Sequence, residues 1–421
     1  MLEVAIPNLF LDDNKGSCAI AWGLITRLRA TGRVGRVSAI SLLTDVTPSI
    51  HYRHLTRKFP DVDIYSSPLR PRSRGGAGGL AQRAAEARDA AYISARTAAL
   101  FGHSRRDRSG AERALASSDL VVERGGPFFA ATGPPPNTSL LRYAWPMVFA
   151  KERGIPYAFV GESVSALDTA WSRWFVTKLL DDATLVGVRD PLSKAKLTDA
   201  GVPAARVETM LDNAFWVEPS YTDHVDDVLR RYDLDRQPFL AVTCKELGPT
   251  RNSPYLDALA RCIDDLVPGT FERVALVPNT WSPWGSDKDD RAVTMQLHAR
   301  LRDGDRAVLL DEDLGPDELA ALYGRAAVVL GTRLHSAILA LVGGAPVVAL
   351  SYEPVKTHGV MGLLGLGDFV VDLEALDPAT VTRLARDAAA AQTTTPRRIA
   401  ELRAEGDVIM GELVETVDSR R

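Results

Sequence analysis

Cysteine is scarce in this sequence: Cys18, Cys244 and Cys262 are the only three in 421 residues. An odd number with no C-x-x-C pair excludes a disulfide framework and a cysteine-rich zinc site, and fits a reducing cytosol. The seven histidines show no metal-ligand spacing. A basic excess is missing as well. The 50 Lys and Arg residues are outnumbered by 54 acids, for a formal net charge of −4, which removes the electrostatic footprint of a nucleic-acid binder. No apolar run is long and clean enough for a transmembrane helix. The most apolar stretch, Ala326 to Tyr352, is interrupted by Arg333 and His335, closed at Gly343-Gly344 and restarted at Pro346. An export signal is not expected either. Glu3 stands where such a signal wants positive charge, Asp12 and Asp13 follow, and the opening MLEVAIPNLFLDD reads as a first strand. The cytoplasm is therefore the expected compartment.

What is there is ordinary globular composition, 46% hydrophobic and 25% charged. At roughly 100–200 residues per domain the length predicts two domains. One unit recurs: a short apolar strand, a loop with Gly, Asn, Asp or Ser, and a helix. Val4–Phe10 leads into LDDNKGS and the helix CAIAWGLITRLRA. DLVVERGG, IPYAFVGESVS and TLVGVRDPLSKAKLTDAG repeat the plan. In the last of these Asp190 is a good N-cap, Pro191 suits the first helical position and Gly201 a helix end. After Asp235 it restarts with PFLAVTCK, FERVALVPNT, RAVLLDED, AAVVLG and APVVALSYE. Continuous apolar strands alternating with helices predict parallel sheets covered on both faces.

The expected fold is thus α/β, with two doubly wound Rossmann-like domains and a cleft between them. The first domain should cover 1–225, the second 236–375, and C-terminal helices 376–421, with the break at the polar segment YTDHVDDVLRRYDLDRQ. The Gly/Arg-rich segments 69–81 and 103–112 read as surface loops, or alternatively as a basic lid over an anionic ligand.

In open parallel sheets ligands bind beyond the carboxyl ends of the strands. The sharpest such place is VVLGTRLHSAILALVGGAPVVALSYEPVKTHGV, residues 328–360. Strand VVL ends at Gly331. Thr332 is expected to cap the next helix, with Arg333, Leu334 and His335 in its first turn. Free backbone N–H groups and the helix dipole make that turn an anion site. Arg333 adds a forked donor for phosphate or carboxylate, and His335 a proton donor that titrates near neutral pH. The next strand should bring Tyr352, Glu353 and Lys356 to the same sheet edge. Singly, each is as well read as a solvated charge or a satisfied core histidine. Together at successive strand ends, Arg333, His335 and Lys356 would hold a small polyanion.

The run G-T-R-L-H-S-A-I-L-A, then G-A-P-V-V-A-L-S-Y, then Lys356 resembles the signature of the polysaccharide pyruvyl transferase family. Further segments resemble the same family: V-G-V-R-D-P-L-S-K-A-K-L-T-D-A-G, L-D-N-A-F at 211–215, L-V-P-N-T…D-D at 276–290 and N-K-G-S at 14–17. The resemblance spans about residues 8–372. It implies a fold like the two-domain glycosyltransferases, phosphoenolpyruvate as donor and a sugar-like acceptor, with no metal or redox cofactor. A lipid-linked acceptor would be met by peripheral contact with a membrane, and the oligomeric state is left open. By resemblance, Arg189, Arg333, Leu334, His335 and Lys356 form the donor site, with Arg189 reaching it across the cleft. Two departures fall in the first domain, which should hold the acceptor. Ser17 stands where the family usually has Asp, and Glu123-Arg124-Gly125-Gly126 replaces a more glycine-rich loop. Asn14 and Ser17 are candidate acceptor contacts, and Glu162, Asp190 and Glu123 candidate bases, Asp190 equally a helix cap. Two rival readings share the fold. One is a nucleotide-sugar glycosyltransferase with Glu353 gripping the ribose; the other is a catalytically inactive sensor of an anionic metabolite.

Overall fold

The computed structural model describes residues 1–69, 91, 109–131, 138–282, 289–390 and 395–421. Most of the Gly/Arg-rich sequence, 70–81 and 103–108, lies outside the described residues.

The apolar runs form two all-parallel sheets. The first holds β1 (Leu2–Leu9), β2 (Val34–Ser41), β3 (Asp63–Tyr65), β4 (Leu120–Glu123), β5 (Gly126–Ala131), β6 (Tyr157–Leu167), β7 (Leu185–Val188) and β8 (Val207–Thr209). Their order is β3-β2-β1-β4-β6-β7-β8, with β5 also paired to β6. The second sheet holds β9 (Phe239–Thr243), β10 (Arg273–Leu276), β11 (Ala307–Leu309), β12 (Val328–Gly331), β13 (Val347–Ser351) and β14 (Val370–Asp372), in the order β11-β10-β9-β12-β13-β14. Each sheet therefore reverses its winding once, between β1 and β4 and between β9 and β12. In doubly wound folds such a reversal, at the strand carboxyl ends, is where ligands bind.

Each sheet has its own core. Val121, Phe159, Val186 and Val188 pack with Trp145, Met147 and Phe149 around the first. Leu240, Val242, Leu276, Leu330 and Leu350 pack with Leu256, Leu259 and Ile263 around the second. Each large aliphatic side chain so buried contributes about 1.5–3 kcal/mol. The helices between strands start and stop by local chemistry. Asp190 accepts from the Ser193 N–H at 2.7 Å to open the helix Pro191–Asp199. Gly344, at φ 87°, closes the helix Leu334–Gly343 in the left-handed conformation that glycine adopts without strain.

The chain divides into two compact units, Met1–Asp12 with Leu24–Asn213 and Ala404–Arg421, and Asp13–Gly23 with Ala214–Arg403. This differs from the boundaries expected at 1–225, 236–375 and 376–421. The segment Asp13–Gly23 belongs to the second unit, because Asn14 bridges Thr280, the Lys15 N–H donates to Asn279 O (3.1 Å) and the Trp281 N–H donates to Asp13 O (2.9 Å). Residues 404–421 belong to the first unit. There Arg27 donates to Gly406 O (2.6 Å), and Arg33 pairs with Asp418 (2.9 Å).

Candidate donor site in the second unit

Thr243 on β9, Gly331 on β12 and Ala349 on β13 lie in register. Two residues further on, Lys245 and Arg333 leave the sheet side by side at the winding reversal. Gly331 allows the tight turn: a Cβ there would meet Ser336 Oγ at 3.0 Å. Thr332 does not cap the helix as the sequence suggested. Its hydroxyl donates to Thr243 O (2.8 Å) and its N–H to Thr243 Oγ1 (3.0 Å), stitching the two central strands together beyond their last ladder pair. Arg333 takes the N-cap position with extended backbone (φ −95°, ψ 132°), and Leu334 and His335 are the first two helical residues. No side chain caps this helix. Its N-terminus keeps the partial positive charge that attracts an anion.

The Arg333 side chain is aimed by a residue to which the sequence reading gave no role. Asp290, the second of the paired aspartates, is fully buried and accepts from Arg333 Nε (2.8 Å) and Nη2 (2.6 Å). The Thr280 N–H, at 2.8 Å, holds the same carboxylate. Burial pushes the Asp290 carboxyl above its usual range, while the Arg333 charge pulls the other way. With Nε and one Nη2 hydrogen committed, the Nη1 group of Arg333 has no protein acceptor among the described residues. It is a half-rigid fork with donors left over for a ligand.

Asn14 and the first turn of the helix Lys15–Ala30 lie beside the same helix. Gly16 is packed so closely on His335 that a Cβ there would stand 2.4 Å from His335 Cγ. Asn14 Oδ1 accepts from the Ser17 N–H (3.2 Å), opening the helix Lys15–Ala30, and buried Lys15 is ion-paired to Asp313. Asn14 and Ser17, expected on the acceptor side in the first domain, thus belong with the second unit. The backbone ladder to Asn279 and Thr280 puts them there.

Lys356 is in the first turn of the helix Pro354–Leu363 and donates to Glu353 (2.5 Å). Lys245 was passed over in the sequence, where its only signal is the end of the strand PFLAVTCK. Its Nζ sits 3.6 Å from the centroid of the Tyr352 ring. Burial, and secondarily the Arg333 charge, pulls its pKa down to about 8.

The first-unit candidates are all buried. Arg189, expected to reach the donor, is instead locked in an ion pair with Asp212, each side chain 1% exposed, and its Nε donates to Ser163 Oγ (2.6 Å). Its charge is spent inside the first unit, so the sequence assignment to the donor site is corrected. Asp190 is occupied as a helix cap, also accepting from Ser193 Oγ (2.7 Å). Glu162 lies within β6, in register with Gly126 and Val188. Glu123 ends β4 at the other winding reversal and accepts from Asn8 Nδ2 (2.7 Å). Burial raises its pKa to about 8, against the neighbouring Arg124 charge.

A profile of the polysaccharide pyruvyl transferase family matches residues 14–354, from the Asn14 loop through Arg333 and His335 to the start of the Lys356 helix. The chain belongs to that family. A polysaccharide pyruvyl transferase is a transferase, and the amylovoran biosynthesis protein AmsJ of Erwinia amylovora is a relative, 26% identical over 273 residues. That match covers 62% of this chain and 63% of AmsJ, less than two thirds of the relative's length. The fold is that of two-domain glycosyltransferases and epimerases. HepE of Anabaena, solved in complex with UDP and glucose, is similar with a TM-score of 0.52 at 13% identity over 100% of this chain and 98% of that one. The UDP-GlcNAc 2-epimerase of Neisseria meningitidis, bound to UDP-GlcNAc, gives 0.56 at 12% identity over 100% and 99%. At such identities the likeness is one of fold. Among the described residues no helix is long and apolar enough to cross a membrane.

Proposed function

We propose that this pyruvyl transferase uses phosphoenolpyruvate as donor and forms a cyclic ketal on two hydroxyls of a sugar or glycoconjugate, releasing phosphate. The observation that carries the reading is Arg333. Asp290 orients its guanidinium and leaves Nη1 open at an uncapped helix N-terminus, with His335 two residues on. Lys356 adds charge at the next strand end, as an electrostatic clamp. An enol phosphate carries a phosphate and a carboxylate on one small frame, which suits fixed forked and point charges.

In this mechanism His335 protonates the methylene carbon while one acceptor hydroxyl adds to C2. The C2–O bond to phosphate then breaks as the neighbouring hydroxyl closes the ring. One hydroxyl proton replaces the one that His335 gave, and the other leaves with phosphate, so donor and diol account for ketal and phosphate. Of the three buried carboxylates read as candidate bases, Asp190 is already engaged as a helix cap, and burial keeps Glu123 protonated near neutral pH, so neither is assigned that role. Calorimetry tests the donor: phosphoenolpyruvate should bind, with Arg333→Ala abolishing the heat. Binding of UDP-sugars in its place would favour a glycosyltransferase.

A further inference from the structure

At the carboxyl edge of the second sheet Lys245 feels two other cations, Arg333 and Lys356, and two carboxylates, Asp290 and Glu353. The carboxylates are taken. Asp290 holds Arg333 through two hydrogen bonds, and Glu353 holds Lys356. Lys245 is the cation left over. Among the described residues its ammonium has no carboxylate or hydrogen-bond acceptor and rests on the face of Tyr352, 3.6 Å from the ring centroid. A largely buried ammonium beside two other cations is unfavourable unless an anion joins it. It also stands at the reversal of strand winding, two residues past the Thr243–Gly331 pair and level with Arg333.

We propose that Lys245 is a further donor-site residue, which leaves the face of Tyr352 to contact the anionic group of the donor directly. This deepens the reading of phosphoenolpyruvate as donor and rests on it. A phosphate ester is a dianion above about pH 7. It restores the ammonium that burial weakens, so the affinity falls as pH rises through about 8, where the free enzyme's Lys245 loses its proton.

The test is isothermal titration of the full chain with phosphoenolpyruvate and, separately, with inorganic phosphate, from pH 7 to 9.5. Buffers of different ionisation enthalpy report the proton taken up. Wild type should take up close to one proton near pH 9, and its Kd should rise towards tenfold per pH unit above about 8. Lys245→Met should weaken both ligands about 10–100-fold and abolish the proton uptake. Lys245→Arg should keep most of the affinity and lose the break near pH 8, which a merely structural role would not produce. Unchanged phosphate affinity in Lys245→Met, or a break that survives in Lys245→Arg, overturns the assignment. Phosphate binding through Lys245 without phosphoenolpyruvate binding would instead overturn the donor reading alone. A wild type that binds neither overturns both.

Discussion

The ring of His335 lies directly against Gly16, so close that a methyl group on Gly16 would stand 2.4 Å from His335 Cγ and 2.6 Å from Nδ1. Gly16, in the first turn of the helix Lys15–Ala30, is thus a steric requirement of the histidine, set by packing rather than by backbone conformation. Alanine is a better helix former than glycine by up to about 1 kcal/mol, and overpacking costs about 1–3 kcal/mol. Gly16→Ala should therefore fold with a melting temperature only modestly changed, while the displaced imidazole lowers turnover about 10–100-fold. Thermal unfolding and phosphate release measured together check this. Wild-type turnover in a folded Gly16→Ala protein would show that the position of His335 is immaterial.

His335 itself is expected to be the acid. His335→Gln should reduce turnover by about 10²–10⁴-fold with donor affinity within a few-fold of wild type. It should also slow deuterium uptake from heavy water into the product methyl group. Loss of donor binding at normal turnover would make His335 a binding group only.

Arg189 and Asp212 form a buried pair, and removing one partner leaves an uncompensated charge. Arg189→Ala should destabilise the protein by about 3–5 kcal/mol. Arg189→Met with Asp212→Leu should recover much of that loss and retain phosphoenolpyruvate affinity. Denaturant unfolding and calorimetry on the double variant decide the point. A stable double variant that has lost donor binding would restore Arg189 to the donor site.

Glu123 makes a prediction about pH. Its folded pKa, about 8, lies above the usual carboxylate value. Between roughly pH 4.5 and 8 the unfolded chain has released this proton and the folded chain has kept it. The Glu123 contribution is therefore fully present at low pH and is lost as pH rises through about 8. Glu123→Gln should flatten the decline in stability between pH 5 and 9, by roughly 1–3 kcal/mol at the alkaline end. A decline equally steep in the variant would show that Glu123 is ionised in the native protein throughout.

Most of this fold could be read from runs such as PFLAVTCK and VVLGTRLH, because a buried parallel strand must be apolar throughout and its loop must be polar. The same logic singled out Arg333, His335 and Lys356 as candidates, each within a few residues of a strand end. It could not find what depends on pairing between distant segments. Whether Arg189 is offered to a ligand or consumed by Asp212 is decided by side-chain geometry, and VGVRD looks the same in either case. Asn14 was assigned to the wrong unit because strand β1 precedes it in the first sheet, while its bridge to Thr280 carries it to the second. In the sequence Asp290 is one of two adjacent acids, and nothing there shows that Asp289 caps the following helix while Asp290 aims Arg333. Lys245 escaped notice since a single lysine after a strand is ordinary. It becomes distinctive only when Arg333, Lys356 and Tyr352 are seen around it.

In the proposed reaction pyruvate moves from phosphoenolpyruvate to a sugar-like diol at the Arg333–His335 helix. Its most direct measurement is phosphorus NMR of enzyme, phosphoenolpyruvate and a panel of glycosides and glycolipids, with mass spectrometry of the acceptors. Acceptor-dependent phosphate release should be matched one for one by an acceptor carrying a pyruvate ketal, both lost in Arg333→Ala. Glycosyl transfer from a UDP-sugar with phosphoenolpyruvate untouched would contradict it.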